Sequence, residues 1–408
     1  MGLNQTVSAE RVHISFFGRR NAGKSSLVNA VTGQNLAVVS DVKGTTTDPV
    51  KKSMELLPIG PVVIIDTPGF DDEGVLGELR VQKTREILAK TDVAVLVLDA
   101  TEEMGTQEQE FLALLQEKKL PFVVVKNKVD LVNGEASAKA NGDAIQSAYP
   151  VIYVSATKNI NIKELKDLIG SLAKTKENNK KIVADLLTPG DVVILVTPID
   201  ESAPKGRLIL PQQQTIRDII DAGCMAFVCQ DTELPQTLAA LAKPPKMVIT
   251  DSQAFGRVSK MIPQEIPLTS FSILFARYKG DLATQVKGAA MLSKLQDGDK
   301  ILISEGCTHH RQCGDIGTVK LPNWIQKFSN AKVQIDFTSG GEFPADVSEY
   351  KLIVHCGGCM LNEAEMKHRI SLAKEADVPM TNYGVAIAHV NGILKRSLEL
   401  FPEVLKHL

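Results

Sequence analysis

The segment GRRNAGKSS, residues 18–26, restricts the fold of this chain more than any other feature, because it satisfies the pattern G-x-x-x-x-G-K-S/T. It follows the apolar run VHISFF and precedes the helical pattern KSSLVNAVT, so it lies between a strand and a helix. Such a loop presents backbone N–H groups to phosphate oxygens, and Lys24 places a positive charge beside the β- and γ-phosphates. The Ser25 hydroxyl is placed to reach Mg²⁺. The other loop residues predicted to contact a nucleotide are Gly18, Gly23 and Ser26.

Apolar runs alternate with helical patterns between residues 1 and 173. VVIID, VAVLVLD and FVVVKN have the composition of buried strands, and EQEFLALLQEKK has that of a helix between two of them. This alternation predicts an α/β domain with a doubly wound, mostly parallel sheet. A charged linker, KTKENNKK, follows at 174–181. Two smaller α/β domains are predicted after it, at 182–265 and 266–408.

Three further motifs each follow a strand or occupy a loop suited to a guanine nucleotide. DTPG supplies Asp66 on the Mg²⁺ side and Gly69 as a backbone donor to the γ-phosphate. In NKVD, the Asp130 carboxylate can accept both N–H groups on the Watson–Crick edge of guanine, a donor pair that adenine lacks. The third motif, SAT at 155–157, falls where a last base-contacting loop is expected. The remaining predicted base-contact residues are Asn127 and Lys128 of NKVD and Ser155 and Ala156 of SAT. With the phosphate loop, these motifs resemble the translation-factor-like small GTPases, which implies binding and hydrolysis of GTP.

Two positions are similar to the TrmE/Era-like GTPases that are activated by potassium. Asn21 matches an asparagine in their phosphate loop, and GTTTD at 44–48 resembles their switch motif GTTRD. In that class a bound K⁺ takes the place of an arginine finger. Thr46 is the expected Mg²⁺ threonine, with Thr47 where the class usually has arginine. Phe70 stands where Ras-like proteins have a water-orienting glutamine, so hydrolysis needs another stabiliser. The resemblance implies K⁺-stimulated hydrolysis with these catalytic residues: Lys24, Thr46, Asp66 and Gly69.

Composition limits the partners and the compartment. Lys and Arg number 46 against 48 Asp and Glu, and the net charge of -2 gives no electrostatic case for nucleic acid or an anionic membrane. The first ten residues lack the features of a signal peptide, and no uncharged run approaches a membrane span, so we expect a cytoplasmic protein. Of six cysteines, Cys224 and Cys229 are expected to be buried structural thiols. The other four crowd between Cys307 and Cys359, which in a reducing compartment suggests metal binding.

The third predicted domain carries two groups of soft ligands, each directly after an apolar strand. SEGCTHH supplies Cys307 and His309, and LIVHCGGC supplies His355, Cys356 and Cys359. If the two strands are parallel in one sheet, both groups emerge at its carboxyl edge, where open α/β sheets bind ligands. The glycines of CGGC let both thiolates face one metal, with backbone N–H groups free to bond sulfur. Zinc and a 4Fe–4S cluster with an exchangeable fourth iron fit this spacing equally well.

The order of these parts resembles the FeFe-hydrogenase maturation GTPases over the whole chain: a GTPase head, a middle α/β unit, and C-x-H followed about forty-five residues later by H-C-x-x-C. In that family the thiols hold a 4Fe–4S cluster, so the resemblance favours iron. It leaves His310 and Cys313 outside the ligand set, Cys313 being a minor candidate for the open iron site. The ligands it implies are Cys307, His309, His355, Cys356 and Cys359.

The resemblance also implies a scaffold or carrier. Such a protein receives a transient two-iron precursor, made with the help of two radical-SAM maturases, and delivers it to apo FeFe-hydrogenase. The GTPase then acts as a timer, because loss of the γ-phosphate relaxes switch loops. A homodimer through the middle domain is expected from the resemblance and from that domain's lack of a catalytic pattern. The alternative is a regulatory GTPase with a structural zinc domain, acting in tRNA modification or ribosome assembly. The absence of a basic stripe counts against it.

Overall fold

The structure, a computed structural model, divides the chain into two compact units, Met1–Asn178 and Asn179–Leu408. The division falls inside the linker predicted at 174–181. The residues that the structure describes are 10–34, 50–57, 59–69, 84–132, 149–174, 180–199, 208–306 and 315–406.

The first unit is built on a six-stranded sheet with the order β2-β3-β1-β4-β5-β6. Its strands are β1 (Val12–Phe17), β2 (Val50–Leu56), β3 (Gly60–Asp66), β4 (Val93–Asp99), β5 (Phe122–Asn127) and β6 (Val151–Tyr153). Its helices include α1 (Lys24–Thr32), α2 (Thr106–Glu117) and α3 (Ile162–Lys174). All neighbouring strands are parallel except β2, which is antiparallel to β3 at the edge. The predicted doubly wound, mostly parallel sheet is confirmed.

Side chains of the central strands enter two separate cores, one on each face of this sheet. Along β4, Val95 and Val97 join the core that includes α1 and α3, whereas Leu96 and Leu98 join the core that includes α2. Successive side chains of a strand point to opposite faces, so a strand covered on both faces must be apolar at every position. This explains the continuous run VAVLVLD.

The second unit contains two four-stranded sheets, with orders β10-β9-β7-β8 and β12-β11-β13-β14, and all strand pairs within them are parallel. The strands of the first sheet are β7 (Val192–Val196), β8 (Met225–Cys229), β9 (Met247–Thr250) and β10 (Leu268–Ser270). Those of the second sheet are β11 (Lys300–Ser304), β12 (Gln334–Thr338), β13 (Leu352–His355) and β14 (Met380–Asn382). The two apolar strands predicted before the soft ligands are present as β11 and β13. The structure adds β10 and β14, each three residues long.

Helices complete the second unit. They are α4 (Leu210–Asp221), α5 (Leu234–Ala240), α6 (Phe255–Met261), α7 (Phe271–Lys279), α8 (Leu282–Ala289), α9 (Leu321–Ser329), α10 (Glu363–Glu375), α11 (Tyr383–Val390), α12 (Leu394–Ser397) and α13 (Pro402–Leu405). None of the helices in the described ranges combines the length and apolar character needed to cross a lipid bilayer.

The predicted boundary between residues 265 and 266 separates two strands of one sheet. β10 pairs in parallel with β9, with Leu268 opposite Val248. The last helices also return to this sheet, since Val385 and Phe401 lie in the same buried core as β7 and β9. Cys224 and Cys229 lie in this core too, as expected of structural thiols. The two sheets therefore share packing within one unit, and the exact limits of the domains stay a prediction.

Candidate functional site

The phosphate loop is tied to the base-contacting loops through Asn127. Its Nδ2 donates to the carbonyl of Ala22 at 3.1 Å, and its Oδ1 accepts from the backbone N–H of Ala156 at 3.1 Å. Gly23 lies so close to this amide that an added Cβ would stand 2.3 Å from Nδ2, and its φ of 86° is one that glycine adopts without strain. The glycine of the GKS sequence is therefore required by backbone conformation and by packing.

Lys24 and Ser25 are the first two residues of α1, and Asp66 is the last residue of β3. The buried Lys24 Nζ donates to the carbonyls of Gly18 and Arg19 at 2.9 and 2.7 Å. The Ser25 hydroxyl donates to Asp66 Oδ2 at 2.7 Å. Asp66 Oδ1 is buried and has no hydrogen-bond partner among the described residues, and burial raises the pKa of this carboxyl. A buried carboxylate oxygen beside a hydroxyl is a hard-oxygen donor pair, which suits Mg²⁺.

The residues predicted to contact guanine surround an exposed carboxylate. Asp130 accepts from the Thr157 hydroxyl at 3.4 Å, and the pKa of Asp130 is lowered, first by a hydrogen bond from the side chain of Ser155. Lys128 Nζ contacts Asp99 Oδ2 at 2.6 Å. A cavity of about 410 Å³ opens beside this group, and its lining includes Ser26, Ala156 and Thr157. The structure thus brings together the phosphate-loop, NKVD and SAT residues that the sequence predicted.

The remaining nucleotide-site predictions concern the switch segments. Gly69 is the last described residue of DTPG and is half-buried. Thr46 and Phe70 lie outside the described residues, so their roles stay predictions.

The thiol site lies at the carboxyl edge of the second four-stranded sheet. β11 and β13 pair in parallel, with Ser304 opposite His355, which confirms the arrangement that the sequence analysis required. The chain leaving β13 continues the pairing, because Cys356 N donates to the Ser304 carbonyl at 2.9 Å. Cys356 Sγ accepts from the backbone N–H groups of Gly306 at 3.0 Å and Gly358 at 3.4 Å. Backbone N–H groups directed at a cysteine sulfur stabilise the thiolate form and are frequent around metal-bound thiolates.

The second thiol, Cys359, lies at the end of the same loop. Burial raises its pKa, and the nearby positive charge of Lys279 opposes that effect. Lys279 Nζ donates to the carbonyls of Cys359 and Leu361 at 3.0 and 2.9 Å. Gly358 has a φ of 62°, and a Cβ at this position would meet Met366 Sδ at 2.7 Å. The loop therefore needs glycine at the second position between the two cysteines.

His355 is fully buried, and both of its ring nitrogens have partners. Nε2 lies 3.0 Å from Arg369 Nη1, and Nδ1 lies 2.8 Å from the carbonyl of Cys356. A guanidinium only donates, so Nε2 accepts and Nδ1 carries the proton. Burial, together with the Arg369 charge, lowers the pKa of His355 to about 3. In this geometry the ring contacts the backbone of Cys356, and the role of His355 as a cluster ligand stays a prediction.

Two buried cations of the thiol site, Arg369 and Lys279, were not predicted from the sequence. Arg369, only 1% exposed, donates to Glu365 Oε1 at 2.7 Å, to the Gly340 carbonyl at 2.8 Å and to the Ser304 hydroxyl at 3.3 Å. Lys279 is 3% exposed. Both residues occur in helical patterns in which a basic residue is typical of a solvated face. No signal in the sequence distinguishes them from exposed cations.

Within the described ranges, no group of three or more His, Cys, Asp or Glu side chains converges on a point that could hold a metal ion. The described part of the site contributes Cys356 and Cys359. Cys307 and His309, the other predicted ligands, lie outside the described residues, as do His310 and Cys313.

Comparison with known protein families identifies three regions. The family model described as the hydrogen maturase F dimerization domain matches residues 182–280, and that of its tetramerization domain matches residues 283–400. The model described as 50S ribosome-binding GTPase matches residues 13–128.

Curated relatives match the first part of the chain. The tRNA modification GTPase MnmE of Chromobacterium violaceum is 36% identical over 161 residues, which are 39% of this chain and 34% of that protein. The GTPase Era of Heliobacterium modesticaldum is 31% identical over 222 residues, 48% of this chain and 74% of that protein. The chain thus spans about a third of the length of its MnmE relative. A crystal structure of Aquifex aeolicus Era bound to GDP·AlF4⁻ covers 54% of this chain and 94% of its own, with 19% identity and a TM-score of 0.36.

The GTPase match and relatives support binding of GTP and Mg²⁺ and hydrolysis of GTP by the first unit. The two maturase domains cover most of the second unit and support oligomerisation and a role in hydrogenase maturation. The chain therefore belongs to the hydrogen maturase F family, and its GTPase domain is of the TrmE/Era-like class.

Proposed function

We propose that this protein is a GTPase scaffold that holds a 4Fe–4S cluster and delivers a two-iron precursor to apo FeFe-hydrogenase. One observation carries the proposal: Cys356 Sγ accepts two backbone N–H groups at the carboxyl edge of β11 and β13, with Cys359 in the same loop. Thiolate is the donor that iron–sulfur chemistry requires, and backbone N–H groups on sulfur stabilise its negative charge. The residues present therefore fit the group that the family resemblance implies.

Chain geometry supports Cys307 as a third ligand. The N–H of Gly306 lies 3.0 Å from Cys356 Sγ, and Cys307 is the next residue in the chain. Three thiolates would leave the fourth iron with a weaker ligand, and an exchangeable site suits a carrier that accepts a bridging group.

The start of the second unit offers a route from the GTPase to this site. Lys180 lies in the predicted linker and is the second residue of this unit, and its Nζ contacts Glu363 Oε1 at 3.0 Å. Glu363 is the first residue of α10, four positions after Cys359. A half-exposed ion pair contributes only about 0–1 kcal/mol to stability. It would therefore favour this position of α10 and still allow the helix to move. Such a contact supports the proposal that the nucleotide state times partner binding through the linker.

We propose that a bound potassium ion stimulates GTP hydrolysis. Asn21 is exposed in the phosphate loop and adopts a φ of 60°. Its amide oxygen is the type of ligand that a potassium ion accepts, and the positive charge would stabilise the charge that develops on the transferred phosphoryl group.

A homodimer through the middle sheet is supported by an exposed edge strand. β8 lies at the end of the order β10-β9-β7-β8, and three of its five side chains are exposed and apolar: Met225 at 49%, Phe227 at 41% and Val228 at 45%. An apolar edge strand with open backbone groups is a template for pairing with another chain. We assign β8 of a second copy as the occupant, because the dimerization domain of this family covers this strand.

Activation of apo FeFe-hydrogenase tests the proposed function. The protein is purified anaerobically from cells that also express the two radical-SAM maturases, and hydrogen evolution is measured after mixing with apo-hydrogenase. We expect Cys356→Ser to abolish activation and Cys229→Ser, which changes a buried thiol of the other sheet, to retain it. Equal activation by wild type and Cys356→Ser would reject the carrier proposal. A wild-type protein that holds zinc and no iron would favour the regulatory GTPase with a structural zinc domain.

A further inference from the structure

We propose that Lys279 is a positioning residue whose buried ammonium raises the reduction potential of the cluster held by the CGGC loop. The inference rests on the proposed function, because it concerns the cluster, and it assigns a role to a residue from a different part of the chain. Lys279 ends α7, in the region matched by the dimerization domain, whereas the loop belongs to the tetramerization region.

The placement of Lys279 is well determined by its helix. α7 begins at the Ser270 cap, whose hydroxyl accepts from the N–H of Ile273 at 3.2 Å, and it ends before Gly280. Seven of its nine positions from Phe271 to Lys279 are aliphatic, aromatic or serine, and Lys279 itself points into the protein. Its Nζ lies 5.8 Å from the centre of the Phe275 ring of the same helix. The ammonium is therefore buried beside an aromatic ring.

The contacts of the ammonium are on the loop that holds the thiols. Nζ donates to the carbonyl of Cys359 at 3.0 Å and to that of Leu361 at 2.9 Å, so the cation contacts the backbone on both sides of Met360. The hydrogen bond to Cys359 also holds the positive charge against the residue that carries the second thiol. Lys279 is thus coupled to the loop both by hydrogen bonds and by charge.

A buried cation near the site has an electrostatic cost that an anion can offset. Removing an ammonium from water is unfavourable unless polar groups or charges compensate it. A cluster bound by thiolates would add a favourable interaction in the same low-dielectric region. Arg369 forms an ion pair with Glu365 at 2.7 Å, and the opposite charges of that pair largely cancel at a distance.

The charge of Lys279 affects the two redox states of a cluster unequally. Reduction adds one electron from an external donor and therefore one negative charge to the cluster. A fixed positive charge stabilises the more negative, reduced form more strongly, so it raises the potential. Removing the charge should shift the potential to a more negative value. A substitution that keeps the hydrogen bonds and removes only the charge should also make the potential more negative.

The test is a dithionite titration of the anaerobically purified full-length protein, followed by electron paramagnetic resonance of the reduced cluster. Lys279→Gln keeps a donor and removes the charge, and Lys279→Arg keeps the charge. Lys287→Gln, on the exposed side of α8, is the matched control for loss of a lysine charge. We expect a more negative midpoint potential for Lys279→Gln alone among the three. Lys279→Met, which keeps the apolar stem, replaces it if the glutamine variant does not fold.

Equal potentials for wild type, Lys279→Gln and Lys279→Met would overturn the inference, and so would a shift of the same size in Lys287→Gln. The wild-type protein distinguishes this failure from that of the proposed function. An iron–sulfur signal with a potential that is insensitive to Lys279 rejects only the inference. Zinc in place of iron in the wild type rejects the proposed function and the inference together.

Discussion

Replacing Arg369 with methionine is expected to destabilise the second unit by about 3–5 kcal/mol, the cost of breaking a buried ion pair from one side. The variant leaves the Glu365 carboxylate buried without its cation and removes the donors to His355 Nε2 and the Gly340 carbonyl. The Ser304 hydroxyl keeps a donor from Thr338 at 3.0 Å. The loss therefore arises mainly from one unbalanced charge and two unsatisfied acceptors.

The chain provides its own probe for this measurement. Its single tryptophan, Trp324, lies on α9 and packs against the core under β11 and β13, so its fluorescence reports unfolding of the sheet that carries the thiol site. With an m value of about 2 kcal/mol/M, the predicted loss lowers the urea midpoint by roughly 1.5–2.5 M.

Two controls distinguish the loss of the buried ion pair from the general effect of placing methionine in this helix. Lys367→Met changes an exposed residue of the same helix, whose ion pair with Glu363 at 2.8 Å lies at the surface, and should cost less than about 1 kcal/mol. The double variant Arg369→Met, Glu365→Met removes both charges of the buried pair and should recover more than half of the loss. A loss below about 1 kcal/mol for Arg369→Met, or a double variant no more stable than the single one, would refute the reasoning.

Three other variants test separate parts of the account. Gly358→Ala should lower stability by about 1–2 kcal/mol and reduce iron content, because it strains a positive φ and meets a methionine sulfur at 2.7 Å. Gly357→Ala, where an added Cβ meets nothing within 4 Å, should do neither, and equal effects would contradict the account. Phe227→Glu on the edge strand β8 should convert dimer to monomer in light scattering, and an unchanged mass would reject that interface. Asn21→Ala should hydrolyse GTP equally fast in KCl and NaCl, while a retained K⁺ response would exclude Asn21 as the ligand.

Sequence patterns predicted the strands that position the thiol site, because strands buried on both faces appear as continuous apolar runs. Apolar runs such as KILIS and KLIV identify β11 and β13, and parallel pairing then places Glu305 and Cys356 at one edge. β10 and β14 were not predicted, since three-residue strands are too short to show a period. This is also why the predicted domain boundary passes between β9 and β10.

The side-chain contacts at the site could not be predicted from local pattern. The family resemblance implies His355 as a ligand, and the orientation of its ring depends on Arg369, fourteen residues later. Lys279 reaches the loop from eighty residues away in sequence. A basic residue in a helix is usually solvated, and only tertiary packing decides that these two are buried.

Metal analysis of the anaerobically purified wild-type protein tests the central claim most directly. Iron, acid-labile sulfide and zinc are measured in the same sample and compared with Cys356→Ser, which removes the sulfur that accepts N–H groups from Gly306 and Gly358. The account predicts iron and sulfide in equal amounts in the wild type, about four of each per chain as a 4Fe–4S cluster requires, and neither in the variant. Zinc without sulfide in the wild type, or the same iron content in both proteins, would contradict it.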